Sequence, residues 1–290
     1  VTLFLVTSVI SVFRLRHVES KFEQTTAQDE TKETGVIKGL LALWKNNSWR
    51  NLIIGTSLFG IVGSLSGVFS IYLINYFWQW LPNEFTLILA LTIPGAMIAG
   101  LSANKLLQNK DKKKSVLVLT GLMITVGPSL TILRIIDIKF QTNILPEVGL
   151  GIFSALFFLV AIHSAFMGGV RVINGILFSS MFSDVVEDHQ NATHSRSEGL
   201  IISVNGLSGK VLGGVGVLLS GMLLSLAGFG EEGSIEEKRE AVTYLAIFST
   251  SLLYIIAPIS LYFISKYEIN KSVHEDNLTN LGYDTGRIET

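Results

Sequence analysis

The sequence predicts an all-α, polytopic membrane protein, and three observations support this fold class. Hydrophobic residues make up 49% of the 290 residues and charged residues only 16%, whereas about a quarter of the residues in a soluble domain are charged. Several apolar runs exceed the roughly 18 residues that a helix needs to cross a bilayer. Lysine and arginine concentrate in alternate connections between these runs, which is typical of loops on the cytoplasmic side.

The composition and the motifs exclude several classes of function. The net charge of −1 does not favour a nucleic-acid partner. The chain has no cysteine, so thiol catalysis, disulfides and zinc–thiolate sites are not expected. No nucleotide-binding P-loop, nucleophile elbow or metalloprotease motif is present, so we expect neither an enzyme nor a resident cofactor. His189 and His194 are five residues apart, which does not place them on one helical face, and we expect no metal site.

The first 49 residues are interpreted as the end of one helix followed by a connector. Residues 1–13 are apolar and two arginines follow them, the reverse of the order in a signal peptide. We therefore expect residues 1–13 to end a preceding transmembrane helix, and an N-terminal half of the same protein to be a partner. Residues 14–49 are expected to form a cytoplasmic connector that ends in a short amphipathic helix at the membrane surface. The apolar face of this helix is formed by Val36, Leu40, Leu43 and Trp44.

Residues 50–265 are expected to form a bundle of six transmembrane helices, and residues 266–290 a cytoplasmic tail. The apolar segments lie at about 52–77, 85–103, 116–136, 148–186, 200–227 and 242–264. Trp78 and Trp80 are expected to anchor the first span at the interface. Six spans after a cytoplasmic connector are the outline of the second half of a twelve-helix transporter that is built from two six-helix repeats. The expected location is the inner membrane.

The fourth segment is too long for one bilayer crossing. Residues 148–186 would form a helix of roughly 57 Å, against a hydrocarbon core of about 30 Å. The helix can break at the Gly168-Gly169 pair, which would make Arg171 an ordinary flanking charge. Alternatively, it continues to Asp184, which would place Arg171 within the membrane region and facing a cavity.

Lys210 is the residue of the fifth segment that most requires an explanation. A lysine held within a bilayer costs several kcal/mol unless it is paired or hydrated. It lies roughly 16 Å along the helix from Gly199, with Gly206 on the same face and Asn205 and Gly209 beside it. This pattern favours a helix that lines a central cavity; the alternative is a lysine that snorkels to the interface.

Three acidic residues, Asp184, Glu187 and Asp188, precede this segment at i, i+3 and i+4 spacing, which places them on one helical face. Two interpretations stand equally at this point. They form a solvated acidic helix end, or they form a cytoplasmic gate that pairs with Arg196 or with loop lysines when the cavity is closed. Ion pairs of a few kcal/mol suffice to bias such a two-state equilibrium.

The same stretch resembles a known family. It carries Asp184-Val185-Val186-Glu187-Asp188, then Arg196-Ser197-Glu198-Gly199, then Lys210 eleven residues further on. This pattern is similar to that of the glycoside–pentoside–hexuronide:cation symporters, the family of the melibiose carrier within the major facilitator superfamily. The resemblance is specific over residues 182–216 and extends over the whole chain as helices seven to twelve.

The resemblance implies a major facilitator fold and uptake of a sugar coupled to Na⁺ or H⁺. It implies that Lys210 lies near the cation and sugar sites, and that Asn205, Gly206 and Gly209 face the sugar. It also implies that Asp184 and Arg196 belong to the cytoplasmic gate. Glu187 replaces the second aspartate that is usual in the family, which keeps the charge.

Two alternatives to a sugar symporter remain at the level of sequence. One is a transporter of the same superfamily that moves a lipid or another amphiphile. The other is a membrane sensor or scaffold on the same fold that transports nothing, in which Lys210 would be dispensable. The sequence identifies neither the cargo nor the coupling ion.

Overall fold

The computed structural model describes residues 36–108, 110–194, 197–229 and 233–282. Regular structure in these ranges is helical throughout, without strands. The expected helix end at 1–13, most of the connector and Arg196 lie outside the described residues. The chain divides into two compact units, residues 1–39 and 40–290.

Nine α-helices are formed within the described ranges. They are α1 (Val36–Lys45), α2 (Asn47–Tyr72, continued by a π-helical turn, Leu73–Phe77), α3 (Pro82–Leu107), α4 (Lys112–Thr125), α5 (Ser129–Phe140), α6 (Ala155–Thr193), α7 (Glu198–Leu226), α8 (Ile235–Ser265) and α9 (Lys271–Asn280). Six spans are long and apolar enough to cross a membrane, with α4 and α5 together forming the third. The predicted all-α polytopic fold with six spans is confirmed.

The helix before the first span is shorter than expected, and its apolar side chains differ in how deeply they are buried. Leu43 is fully buried in the core, whereas the neighbouring Trp44 is exposed. α1 ends at Lys45 because Asn46 leaves the helical conformation and caps α2, accepting a hydrogen bond from Trp49 N at 2.8 Å.

Trp80 is not an interfacial anchor. The backbone turns at Gln79, whose φ is +56°, and directs the Trp80 side chain into the bundle, where it is buried. Its ring packs edge-on against Phe157 with 5.9 Å between centroids. Trp78 packs in the same manner against Phe77 at 5.4 Å.

The third span is broken in the middle, which the sequence reading at 116–136 did not include. α4 ends at Thr125 and α5 begins at Ser129, because Pro128 has no N–H to continue the helical ladder. Gly127 is required at this break, since a Cβ there would lie 2.3 Å from the Met123 carbonyl oxygen. His163 of α6 contacts the break through Nε2, which lies 2.9 Å from Val126 O.

The fourth span is one unbroken helix of 39 residues, about 58 Å long. The Gly168-Gly169 pair therefore does not break it. These glycines instead allow α3 to cross α6 in close contact: a Cβ on Gly95 would lie 2.3 Å from Ala165 O, and a Cβ on Gly169 would lie 3.2 Å from Gly95 O. Because α6 is longer than a bilayer core, at least one of its ends must lie outside the hydrocarbon region.

We call the end of the bundle that contains Lys110–Lys114 the lysine-rich end. The start of α2 and the ends of α6 and α8 meet there around a buried apolar cluster that includes Leu52, Met181, Ile201 and Ile264. The tail beyond α8 is part of this end. Tyr267 is fully buried, and Glu268 N donates to Ser48 Oγ at 3.1 Å.

Candidate functional site

The three acidic residues of α6 lie at the lysine-rich end, and Asp184 is the most buried of them. The Nζ atom of Lys112 lies 2.6 Å from Asp184 Oδ1 and 2.8 Å from Oδ2. Lys112 is the first residue of α4, and Asp111 caps this helix by accepting from Lys114 N at 2.8 Å. The cap fixes where α4 begins and so holds the lysine against the carboxylate.

Tyr267 closes the buried side of Asp184. Its hydroxyl lies 3.3 Å from Asp184 Oδ2 and 3.3 Å from Met181 O. Burial, followed by the negative charge of Asp184, raises the pKa of the Tyr267 phenol well above its usual value. The hydroxyl therefore stays protonated and acts as a donor at this site.

Glu187 is one turn further along α6 and faces α9. Its Oε2 atom lies 2.8 Å from His274 Nδ1, and the same nitrogen lies 3.4 Å from Asp184 Oδ1. α9 presents this histidine because Asn270 caps the helix, accepting from Val273 N at 3.0 Å. One imidazole thus contacts two carboxylates.

Asp188 is held by amides instead of cations. Asn46 Nδ2 donates to Asp188 Oδ2 at 2.7 Å, and Asn277 Nδ2 donates to Oδ1 at 3.2 Å. Asn277 in turn accepts from Asn191 Nδ2 at 2.9 Å. Hydrogen bonds from α9 and from the α1–α2 link therefore meet at this one carboxylate.

We call this network the acid cluster; its members are Asp184, Glu187 and Asp188 with their partners Asn46, Lys112, Tyr267, His274 and Asn277. It ties the end of α6 to α4, to the α1–α2 link, to the start of the tail and to α9. The sequence allowed either a solvated acidic helix end or a gate in which the acids are paired. In the structure each of the three acids has a partner on another element. Arg196, the other expected partner, lies outside the described residues.

The acid cluster also has donor atoms of the kind that bind metals. One atom each of Asp184, Glu187 and His274 lie within 4.8 Å of one another. The Lys112 ammonium already contacts both oxygens of Asp184, so this carboxylate is neutralised without a metal ion. His189 is buried and His194 is exposed, and neither joins these three residues.

A cavity of about 420 Å³ lies between α6 and α7, next to the acid cluster. Six of its ten lining side chains carry a hydroxyl, amide or carboxylate group: Ser179, Ser183, Glu187, Gln190, Glu198 and Asn205. Phe182 and the apolar residues Val186, Ile201 and Ile202 complete it. The cavity thus brings together Glu187, predicted in the gate, and Asn205, predicted at the substrate site.

The other predicted site residues of α7 lie outside this cavity. Lys210 is exposed, and among the described residues no hydrogen bond or ion pair to its ammonium is formed. A Cβ added to Gly206 or to Gly209 would meet nothing within 4 Å, so these glycines are not needed for contacts between the described helices. Lys210 is twelve residues after Glu198, about 18 Å along the helix.

Arg171 lies at a similar distance from the lysine-rich end. It is thirteen residues before Asp184, about 20 Å along the unbroken α6, and its side chain is exposed. α6 is continuous through Arg171, without a break at the preceding glycine pair. The role of Arg171, like that of Lys210, stays a prediction.

Sequence reasoning missed most partners in the acid cluster. The loop lysines were predicted as partners only as a group, so Lys112 was not singled out among them, and His274 and Asn277 lie in a polar tail without an apolar period. The signal that would have found α9 is its cap, Asn270, and the same signal marks Asn46.

A second buried acid lies at the opposite end of the bundle. Asp137 of α5 accepts hydrogen bonds from Thr142 Oγ1 at 2.8 Å and from Ile144 N and Leu145 N at 2.9 Å each. The carboxylate thereby fixes the chain that follows α5, which explains why an acidic residue is buried there.

The six spans and their order define a multi-pass α-helical membrane protein. The family model described as MFS/sugar transport protein matches residues 1–271, and the chain belongs to this family of transporters of the major facilitator superfamily. No curated protein and no solved structure matches the chain.

Proposed function

We propose that the protein is a cation-coupled symporter of a sugar or glycoside that works by alternating access in the inner membrane. The coupling ion is Na⁺ or H⁺. The sugar cargo is supported by the description of the family. The lysine-rich end is cytoplasmic in this proposal, because lysine and arginine favour that side, and the connector and the C-terminus lie there too.

The observation that carries the proposal is the acid cluster beside a polar cavity. Salt bridges and hydrogen bonds tie α6 to four other segments at one end of the bundle. Such polar contacts can separate and re-form in water, whereas a closely packed apolar interface cannot do so without exposing its surface. We infer that the cluster is the cytoplasmic gate, closed when these contacts are made.

The cavity between α6 and α7 has the chemistry that a polyol requires. Serine hydroxyls, the amides of Gln190 and Asn205 and the carboxylates of Glu187 and Glu198 offer donors and acceptors, and Phe182 offers an apolar face. In the proposal this cavity is the cytoplasmic exit of the sugar path. In this proposal the deeper substrate and cation site is lined by Lys210, Asn205, Gly206 and Gly209. Arg171 faces the cavity that contains this deeper site.

Uptake by right-side-out membrane vesicles tests the function. Cells would express the full-length protein, and a panel of labelled sugars and glycosides would be offered under an imposed Na⁺ gradient, an imposed pH gradient or neither. We expect at least one sugar to accumulate above its external concentration only when a gradient is present. Equilibration without accumulation, or no sugar uptake at all, would refute the symport, and a lipid-transfer assay would then test the amphiphile alternative.

The Lys210→Ala variant tests the site. We expect it to abolish accumulation, because the proposal places this ammonium next to the bound cation and sugar. Lys105→Ala is the matched control, since Lys105 is an exposed lysine at the end of α3 and lies outside the cavity. Normal accumulation by Lys210→Ala would show that the assignment of Lys210 is wrong.

A further inference from the structure

A second cavity at the lysine-rich end has a volume of about 290 Å³ and lies where α3 ends and α4 and α9 begin. It shares no lining residue with the cavity between α6 and α7. Because it lies at the ends of two membrane-spanning segments, it is placed where the apolar part of a bilayer meets the headgroups.

One side of this second cavity is apolar and open to the surface of the bundle. It is formed by Leu107, Ile176, Leu177 and Ile269. Leu177 and Ile269 are buried, but 41% of Ile176 is exposed, and so is 44% of Leu106, which precedes Leu107. Both exposed residues belong to helices that are long and apolar enough to cross a membrane, so this side of the cavity suits an apolar chain.

The other side carries three lysines from three elements. Lys110 lies in the link between α3 and α4, and Lys112 and Lys271 are the first residues of α4 and α9. A cation at the first position of a helix is unfavourable, because the helix dipole is positive at that end. Stability of the two helices therefore does not explain these lysines, and their arrangement favours a negatively charged group in the cavity.

Two acids of the same lining already have partners. Asp184 accepts from the Lys112 ammonium at 2.6 Å and 2.8 Å, so these two charges offset each other. Asp111 caps α4 by accepting from Lys114 N at 2.8 Å. Neither carboxylate is directed at the other lysines of the cavity by these contacts.

Lys110 and Lys271 are the cations of this lining that stay available to a ligand. Lys110 is exposed, and among the described residues no hydrogen bond or ion pair to its ammonium is formed. Lys271 lies 3.8 Å from Glu275, which is too long for a hydrogen bond, and 65% of its side chain is exposed. The Nδ1 atom of His274, which also lines the cavity, contacts Glu187 instead.

We propose that this cavity binds the headgroup of an anionic phospholipid, with the phosphate held by Lys110 and Lys271 and an acyl chain along Ile176. Basic pockets between helices at a membrane surface bind such headgroups. The phosphate oxygens accept charge-assisted hydrogen bonds from ammonium groups, whereas a free phosphate would leave the apolar side unfilled. The inference needs only a chain that spans a bilayer, so it is independent of the proposed sugar transport.

Lipid titration followed by native mass spectrometry tests the site. The full-length protein is freed of bound lipid in an uncharged detergent and mixed with phosphatidylglycerol or phosphatidylcholine, whose headgroups share the phosphodiester but differ in net charge. Each bound lipid adds its own mass, so the populations give the dissociation constant of the first lipid. We expect phosphatidylglycerol to bind about tenfold more tightly than phosphatidylcholine.

The double variant Lys110→Gln with Lys271→Gln should weaken binding of the first phosphatidylglycerol about thirtyfold, about fivefold for each lysine, and leave phosphatidylcholine unchanged. Lys105→Gln with Lys114→Gln is the matched control, because it removes two exposed lysines of the same end that lie outside the cavity. Its affinity should fall less than about threefold. Lys110→Gln alone, with its fivefold loss, keeps the test decisive if the double variant does not elute as a single species.

Equal affinities for the two lipids, or equal losses in the cavity variant and its control, would overturn the proposal. Inorganic phosphate and glycerophosphoglycerol, the same headgroup without acyl chains, are then added as competitors. Neither should displace the lipid, and displacement by either would assign the cavity to a free phosphate compound and refute the lipid. Failure of sugar uptake leaves these results unaffected, because lipid binding is measured without a sugar.

Discussion

The pair of Lys112 and Asp184 predicts an asymmetric response to the loss of either charge. Its two side chains differ in burial: 33% of the lysine side chain is exposed but only 3% of the aspartate. Lys112→Met removes the ammonium and leaves a buried carboxylate. Asp184→Asn removes the negative charge and leaves an ammonium that can reach water.

The size of the two effects follows from these exposures. A buried charge that loses its partner costs about 3 to 5 kcal/mol, and the remaining contacts of Asp184 with Tyr267 and His274 place Lys112→Met near the lower value, about 3 kcal/mol. The ammonium left by Asp184→Asn can be hydrated, so the loss is at the lower end for a hydrogen bond to a charged group, about 1.5 kcal/mol. The lysine variant should be less stable by about 1 to 2 kcal/mol.

Reversible unfolding of the full-length protein in mixed micelles, followed by helical circular dichroism, measures the free energy of unfolding of each variant. The double variant Lys112→Met with Asp184→Asn should be more stable than Lys112→Met alone, because it leaves no unpaired buried charge. If Asp184→Asn is as destabilising as Lys112→Met, or if the double variant shows the sum of the two losses, the reasoning from burial is wrong.

Three further predictions concern packing and hydrogen bonds, each measured by the same unfolding assay. Gly95→Ala should destabilise the protein by about 2 kcal/mol because its Cβ would lie 2.3 Å from Ala165 O, whereas Gly63→Ala, where a Cβ meets nothing within 4 Å, should cost nothing. Asp137→Asn should cost about 1 to 3 kcal/mol, since the amide cannot accept all three hydrogen bonds of the carboxylate; an unchanged stability would contradict this. Tyr267→Phe should cost about 1 kcal/mol equally at pH 6 and pH 8, because burial raises the pKa of this phenol and keeps it neutral. Stability should fall as the pH rises above about 10, where the unfolded tyrosine ionises, and this part of the alkaline loss should be absent in the variant.

The spans could be predicted from the sequence because each is an apolar run of sufficient length, a property of single segments. Whether a helix breaks within a span depends on its contacts with neighbouring helices. Gly168-Gly169 suggested a break in isolation, but the pair accommodates Gly95 of α3, and close crossing favours a continuous helix. The break at Pro128 was available to sequence reasoning, since proline interrupts the helical ladder.

In the acid cluster, too, local spacing was predictable and the contacts between helices were not. The i, i+3 and i+4 spacing of the α6 acids predicted that they act together. Their partners come from segments far away along the chain: Lys112 is 72 residues from Asp184 and Asn46 is 142 residues from Asp188. Residue type alone did not separate Lys112 from its lysine neighbours or mark His274 in a polar tail, because contact between helices decides which of them reaches an acid.

Two kinds of contact along α6 imply how the bundle can change shape. Near its middle, α6 meets α3 backbone to backbone at Gly95 and Gly169, and such packing cannot be separated without leaving a void. At its lysine-rich end, α6 is held to α4 and α9 by ion pairs and amide hydrogen bonds, which water can replace. The α3–α6 pair should therefore move as one body, and separation should begin at the acid cluster, where Lys112 and His274 leave the carboxylates.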